Sequence, residues 1–123
     1  RAELVASTTA TDPNALSNSE TGPLWFRGLA TEPEASLGPD LDMVLERLSA
    51  KAIVVSHTVS GNGSIATRFG GRVVQIDTGM LNGKFYPRGR ASALEIEGDK
   101  LTAIYETTRE ALPVAPAPAA LSK

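Results

Sequence analysis

Two polar side chains follow apolar segments at positions where enzymes commonly hold reactive groups. His57 comes shortly after the β-branched run over residues 52–55, and Asp77 closes a second apolar run, with glycine two positions further on. Strand ends present ligand-binding side chains well, because the sheet fixes them while the adjoining loop leaves them exposed. The two side chains could therefore converge on one site. Spacing alone favours a plainer interpretation, with a structural or surface histidine and a turn-forming aspartate.

The chemistry open to this chain is limited by its composition. His57 is the single histidine, and there is no cysteine. Disulfides, thiolate catalysis and cysteine-based zinc sites are thereby excluded, whereas the redox compartment stays undetermined. Any metal must be held by His, Asp, Glu, Asn or backbone oxygen, and one histidine cannot build a complete His-rich site.

Length and charge indicate one domain, or part of a larger one, in a soluble protein. The chain has 123 residues, of which 41% are hydrophobic and 21% charged, and its net charge is −2. These values give no indication of a nucleic-acid partner or a polybasic membrane surface. A cytoplasmic and a periplasmic location are equally compatible. The first residue is arginine instead of methionine, which suggests that upstream sequence was removed or omitted.

Hydrophobic periodicity predicts an α/β (α+β) fold with one helix and five strands between residues 22 and 109. After a connector over residues 33–39, the helix is predicted to begin near Gly38 or Asp40, with Pro39 near its first turn. Its apolar stripe is Leu41, Val44, Leu45 and Leu48. Strands are predicted over residues 52–55, 64–69 and 72–77, the first of them buried on both faces. Residues 93–97 and 101–105 alternate around a glycine turn and predict an antiparallel hairpin.

The two ends of the chain differ in composition from this central part. Residues 1–21 are rich in Ala, Ser, Thr and Asn without periodicity, which predicts an irregular or loosely ordered segment. Residues 110–123 alternate proline with alanine, which predicts an extended, poorly packed tail.

Several blocks in register resemble the closing half of the calcineurin-like metallophosphoesterases. The blocks are Gly-Pro-Leu-Trp-Phe-Arg-Gly over residues 22–28, Ile-Val-Val-Ser-His-Thr-Val over 53–59, Arg-Phe-Gly-Gly-Arg-Val-Val-Gln-Ile-Asp-Thr-Gly-Met over 68–80, and Ser-Ala-Leu-Glu-Ile over 92–96. They span most of residues 22–105 in the family's order. Within the family, the chain is most similar to the bacterial-type (Shewanella-like) Ser/Thr protein phosphatases.

This resemblance implies a metal-dependent hydrolase of phosphomonoesters. His57 falls on a histidine that binds one of two divalent metal ions (Mn, Fe or Zn), which together activate a water molecule. Arg27 falls where a guanidinium contacts the substrate phosphate, although a surface arginine beside Trp25 is an equally good interpretation. Asp77 would lie behind His57 and orient it through the second ring nitrogen. The implied fold is part of a four-layer αββα sandwich.

Two departures from the family pattern limit this expectation. Ser56 stands where the family has glycine, which places a side chain close to the site. More importantly, the family's remaining metal ligands lie in Asp-x-His, Gly-Asp-x-x-Asp and Gly-Asn-His-Glu segments, none of which occurs here. The isolated chain is therefore expected to be inactive, because no catalytic set is complete within it.

Two further interpretations remain open. The chain could be a non-catalytic domain derived from the same fold, which binds a partner through the uncovered flank of its sheet. It could also be a soluble α/β domain whose likeness to the family is coincidental. Four arginines, at positions 68, 72, 88 and 90, could form a basic patch for an anionic substrate, or they could line a solvated sheet face. The glycine pairs lack the spacing and lysine of a phosphate-binding loop and predict turns.

Overall fold

The computed structural model describes residues 18–22, 24–80 and 84–115. Its elements are α1 (Gly28–Thr31), α2 (Glu34–Arg47), β1 (Ile53–Val55), β2 (Ala66–Arg68), a 3-10 turn (Phe69–Gly71), β3 (Val73–Gln75), β4 (Ser92–Glu97), β5 (Lys100–Tyr105) and β6 (Arg109–Leu112). The fold is mixed α+β with one long helix, which confirms the prediction at that level. Within the described ranges, neither helix has the length and apolar character needed to cross a bilayer.

The strands form two small sheets. In the first sheet the order is β1-β3-β2, with β1 parallel and β2 antiparallel to the central strand β3. The second sheet has the order β4-β5-β6 and is antiparallel throughout. The parallel pair β1–β3 matters most for the site, because it brings the carboxyl ends of two strands to one edge of the first sheet.

Adjacent valines of β3 face opposite sides of the first sheet and define three layers. Val73 packs with Leu41 and Leu45 of α2, whereas Val74 packs with Leu101 and Ala103 of β5. Both valines have no exposed surface. Since successive side chains of a strand alternate between faces, the order of layers is helix, first sheet, second sheet.

The long helix exists as predicted but begins earlier. Helix α2 starts at Glu34, so the expected connector over residues 33–39 is wrong and Pro39 lies inside the helix. Proline in a helix interior removes one backbone hydrogen bond, and for that reason Pro39 was assigned to the helix start. The buried stripe also differs: Leu41 and Leu45 are 3% exposed, whereas Val44 and Leu48 are 44% and 66% exposed.

The C-terminal hairpin is confirmed, and a further strand follows it. Strands β4 and β5 pair from Ser92↔Tyr105 to Glu97↔Lys100. Strand β6 then pairs with β5 over residues 109–112, which overlaps the segment predicted as an extended tail, and Ala115 beyond it is buried. Residues 1–17 and 116–123, which carry most of the two predicted terminal segments, lie outside the described residues.

Strand β1 was predicted to be buried on both faces, and that prediction is wrong. It is an edge strand of the first sheet, and Val54 is 43% exposed. A run of β-branched residues is equally typical of half-buried strands. The run itself therefore does not indicate whether the strand lies at the centre or at the edge of a sheet.

Candidate functional site

His57 and Asp77 meet at the carboxyl edge of the first sheet. Strands β1 and β3 run parallel with Val55 opposite Gln75, and the pairing continues through a 3.0 Å bond from the Ile76 N–H to the Val55 carbonyl oxygen. His57 and Asp77 each lie two residues beyond this last aligned pair. The two segments that carry them therefore leave the sheet at the same edge. The sequence prediction that the two residues converge is therefore realised in the fold.

The Asp77 carboxylate organises the loop that carries His57. Its Oδ2 accepts a hydrogen bond from the backbone N–H of His57 at 3.1 Å, and its Oδ1 accepts one from the Gly79 N–H at 3.1 Å. The Asp77 carbonyl oxygen accepts a third bond, from the Ser60 N–H at 2.9 Å. The carboxylate thus holds the backbone of His57, whereas the sequence predicted a contact with the imidazole ring.

The backbone of His57 adopts a left-handed conformation, with φ of 67°. This region is costly for residues with a side chain, by about 1–2 kcal/mol, and it persists only where surrounding contacts impose it. The hydrogen bond to Asp77 is such a contact. The imidazole itself is exposed and has no hydrogen-bond partner among the described residues, so both ring nitrogens are available.

A metal pair does not fit the described residues by themselves. No cluster of three or more His, Cys, Asp or Glu side chains suited to a metal occurs in the described ranges. In the described ranges Asp77 is the carboxylate bonded to the His57 loop, and each of its oxygens accepts one backbone N–H and keeps a second lone pair. Two residues are too few to hold a metal pair, so further ligands would have to come from outside the described residues.

Arg27 packs beside Trp25. It is half-buried at the residue that precedes α1, and its guanidinium carbon is 5.8 Å from the centre of the Trp25 ring. No hydrogen bond or ion pair in the described part of the chain joins it to either site residue. The structure thus shows an arginine packed beside tryptophan, and a phosphate-binding role stays a prediction.

Three of the four arginines that could form a basic patch have structural partners. Arg68 donates to the carbonyl oxygens of Leu29 and Glu32, and Arg72 pairs with Asp42. Arg90 donates to the Gly63 carbonyl oxygen at 3.0 Å and to Ser64 Oγ at 2.9 Å, and its guanidinium lies 3.6 Å from the centre of the Tyr105 ring. Arg88 alone of the four pairs with no described residue.

A cavity beside the His57 loop was not predicted from the sequence. It has a volume of about 270 Å³ and lies between residues 59–61 and residues 85–89. Phe85 and Tyr86 line it and are 76% and 41% exposed. The available signal was a pair of aromatic residues within a loop rich in Gly and Pro, which is also the composition of an ordinary surface turn.

No family model matches this chain, and no curated protein or solved structure does either.

Proposed function

We propose that this chain is the C-terminal part of a calcineurin-like, metal-dependent phosphatase that hydrolyses phosphomonoesters, with the remaining metal ligands on a preceding segment or another chain. The observation that carries the proposal is the presentation of His57. Its imidazole is exposed at the end of a strand, without a partner among the described residues, on a backbone held in a costly conformation by Asp77.

The chemistry of the imidazole supports a role as metal ligand. A neutral imidazole nitrogen binds Mn, Fe and Zn, and a ligand must be fixed in space before the metal arrives if the affinity is to be high. Asp77 fixes the His57 backbone through one carboxylate oxygen and the following turn through the other. In this proposal Asp77 is a positioning residue, and Arg27 is the group that contacts the substrate phosphate.

The order of layers supports the proposed four-layer αββα sandwich. The described residues supply a helix layer and two sheets in the order α-β-β. A helix layer on the outer face of the second sheet would complete the sandwich. The edge strand β1 is where the first sheet would continue into the segment that carries the other ligands.

The test compares the protein encoded by the complete gene with the present chain. Metal content and turnover of p-nitrophenyl phosphate are measured for both, and for His57→Ala in the longer protein. We expect no turnover by the present chain, and in the longer protein His57→Ala should lower metal occupancy and rate together. Glu97→Gln, an exposed residue at the end of β4, is the control. Loss of rate with unchanged metal content would contradict the ligand assignment, and turnover by the present chain would contradict the incomplete site.

A second candidate function, a non-catalytic domain that binds a partner, is favoured by the surface next to β1. Within the described ranges the outer edge of β1 pairs with no strand, and since Ile53 and Val55 bond to β3, the Val54 amide and carbonyl face outward. An open groove of about 240 Å³ adjoins this edge, lined mainly by apolar side chains that include Phe26, Leu37 and Ile53. The matching partner is an extended segment that adds a strand to β1 and places apolar side chains in the groove.

Charging the edge of β1 separates the two candidates. Val54→Lys should abolish association with such a partner, because an edge lysine opposes strand addition. Val44→Lys on α2, which also lines the groove, should weaken the association without removing strand pairing. A longer protein that binds two metals and turns over phosphomonoesters would exclude the non-catalytic function.

A further inference from the structure

The cavity between residues 59–61 and residues 85–89, here called the loop cavity, is built by close packing of two loops. A Cβ atom on Gly63 would overlap the carbonyl oxygen of Arg88, and a Cβ on Gly89 would overlap that of Gly79. A hydrogen bond also closes each loop internally. In the first loop the Gly63 N–H donates to the Ser60 carbonyl oxygen at 3.2 Å, and in the second the Gly89 N–H donates to the Tyr86 carbonyl oxygen at 2.8 Å. The backbones therefore fix the walls before any ligand binds.

The walls of the loop cavity combine aromatic surface with positive charge. Phe85 and Tyr86 line it from the second loop, and the ammonium of Lys84 lies 5.8 Å from the centre of the Phe85 ring. Arg88 lines it as well and has no ion-pair partner among the described residues. Among the described residues, the lining includes no acidic side chain. A guanidinium next to aromatic rings suits an anion that carries a planar group.

Ser60 lines the same cavity through atoms other than its hydroxyl oxygen. Its Oγ is buried and has no hydrogen-bond partner among the described residues. Because an oxygen without accessible surface is not reached from an open cavity, this hydroxyl supplies no contact to a ligand there. Ser60 is three residues from His57, which limits the separation of their Cα atoms to about 11 Å.

Volume sets the size of the ligand. The loop cavity measures about 270 Å³. An apolar cavity of about 150 Å³ holds one benzene molecule, and drug-sized pockets begin near 300 Å³. One aromatic ring with a single anionic substituent fits this volume.

We infer that the loop cavity binds a single-ring aromatic anion, with the ring against Phe85 and Tyr86 and the anionic group against Arg88. The inference does not depend on the proposed phosphatase activity, because that proposal assigns the metal to His57 and the substrate phosphate to Arg27, and Arg88 has no part in it. The anion is a carboxylate or a phosphate, which share the bidentate geometry that a guanidinium recognises.

Titration of the full 123-residue chain, followed by amide chemical shifts, tests the inference with four probes. Benzoate and phenyl phosphate carry both a ring and a charge, acetate carries the charge alone, and benzyl alcohol carries the ring alone. We expect at least one of the aromatic anions to bind about ten-fold more tightly than acetate and benzyl alcohol, with shifts concentrated at residues 59–61 and 85–89. The stronger of the two aromatic anions identifies the anionic group. Equal affinity for all four probes, or shifts elsewhere, would overturn the inference.

Matched variants locate the binding. Arg88→Gln should reduce the affinity for the preferred anion about ten-fold and leave the affinity for benzyl alcohol unchanged. Arg47→Gln, an exposed arginine at the end of α2, should change neither. His57→Ala should leave benzoate binding intact, which keeps this test separate from that of the metal site. Retention of full affinity in Arg88→Gln, with well-dispersed spectra, would show that the anion binds elsewhere.

Discussion

His57 is one of three described residues other than glycine with a positive φ, together with Ser49 and Phe69. His57 has φ of 67° and an exposed ring, so its conformation gains nothing from burial of the side chain. Glycine would adopt this backbone without the steric cost. The histidine is therefore present at the expense of stability, which is the pattern expected where a side chain serves binding or catalysis.

Replacing His57 with glycine should stabilise the fold. We expect His57→Gly to raise the free energy of unfolding by about 0.5–1 kcal/mol, since the relief of the left-handed strain exceeds the added flexibility of the unfolded chain. Thr58→Gly is the control, because Thr58 does not have a positive φ and should lose about 0.5–1 kcal/mol. Urea denaturation measures both, and equal losses in the two variants would show that the backbone of His57 is not strained.

Asp77 should be important for stability even though it follows a short strand. Asp77→Ala removes the acceptor for the backbone amides of His57 and Gly79, and bonds to charged acceptors are worth about 1.5–3 kcal/mol. We expect a loss of about 2 kcal/mol or more in urea denaturation. Asp99→Ala removes only an exposed pair with Lys51 and should change stability by less than about 0.5 kcal/mol. Similar effects of the two substitutions would contradict the anchoring role of Asp77.

At the scale of elements, periodicity predicted the existence of α2 and of the β4–β5 hairpin but not their full extent. The helix was predicted to start near Asp40 because proline is usually a boundary, yet it continues back to Glu34 through Pro39. Strand β6 was missed because its proline- and alanine-rich neighbourhood resembles a linker, whereas its stability comes from pairing with β5. Local sequence carries neither kind of tertiary information.

Leucine-to-alanine substitutions at positions 45 and 48 test which side of α2 is buried. Leu45→Ala should cost about 3 kcal/mol, because Leu45 is 3% exposed and packs against Phe69 and Val73. Leu48→Ala, at a residue that is 66% exposed, should cost less than about 1 kcal/mol. Thermal or urea unfolding compares the two variants. A loss of stability at Leu48 as large as that at Leu45 would indicate that Leu48 is buried too, as the sequence predicted.

At the scale of the whole molecule, the side chains of Tyr105 and Arg90 connect the second sheet to the loop that precedes β2. The Tyr105 Oη accepts a hydrogen bond from the Ile65 N–H at 2.9 Å in the core between the sheets, and Arg90 lies over the same ring. These contacts link β5 to the loop that leads from His57 to β2.

The convergence of His57 and Asp77 was predictable because strand ends collect such residues, but the loop cavity depends on contacts between distant loops that no local pattern reveals.

Removal of the Tyr105 hydroxyl should therefore weaken the contact between the two sheets. Tyr105→Phe leaves the Ile65 amide buried without an acceptor, and we expect a loss of about 1–3 kcal/mol. Tyr86→Phe, at a residue that is 41% exposed, should change stability by less than about 0.5 kcal/mol. Hydrogen exchange of the Ile65 amide follows the same bond directly. Unchanged protection of that amide in Tyr105→Phe would contradict the link.

The central claim is that the exposed imidazole of His57 is a metal ligand, and the most direct measurement is anomalous diffraction from the metal-loaded product of the complete gene. We predict an anomalous peak within about 2.0–2.3 Å of one ring nitrogen of His57, with Asp77 still bonded to the His57 amide. If the proposal holds, a second metal should lie about 3.5–4 Å from the first, the spacing found in two-metal hydrolases. A metal-loaded protein in which no metal lies near His57 would contradict the claim.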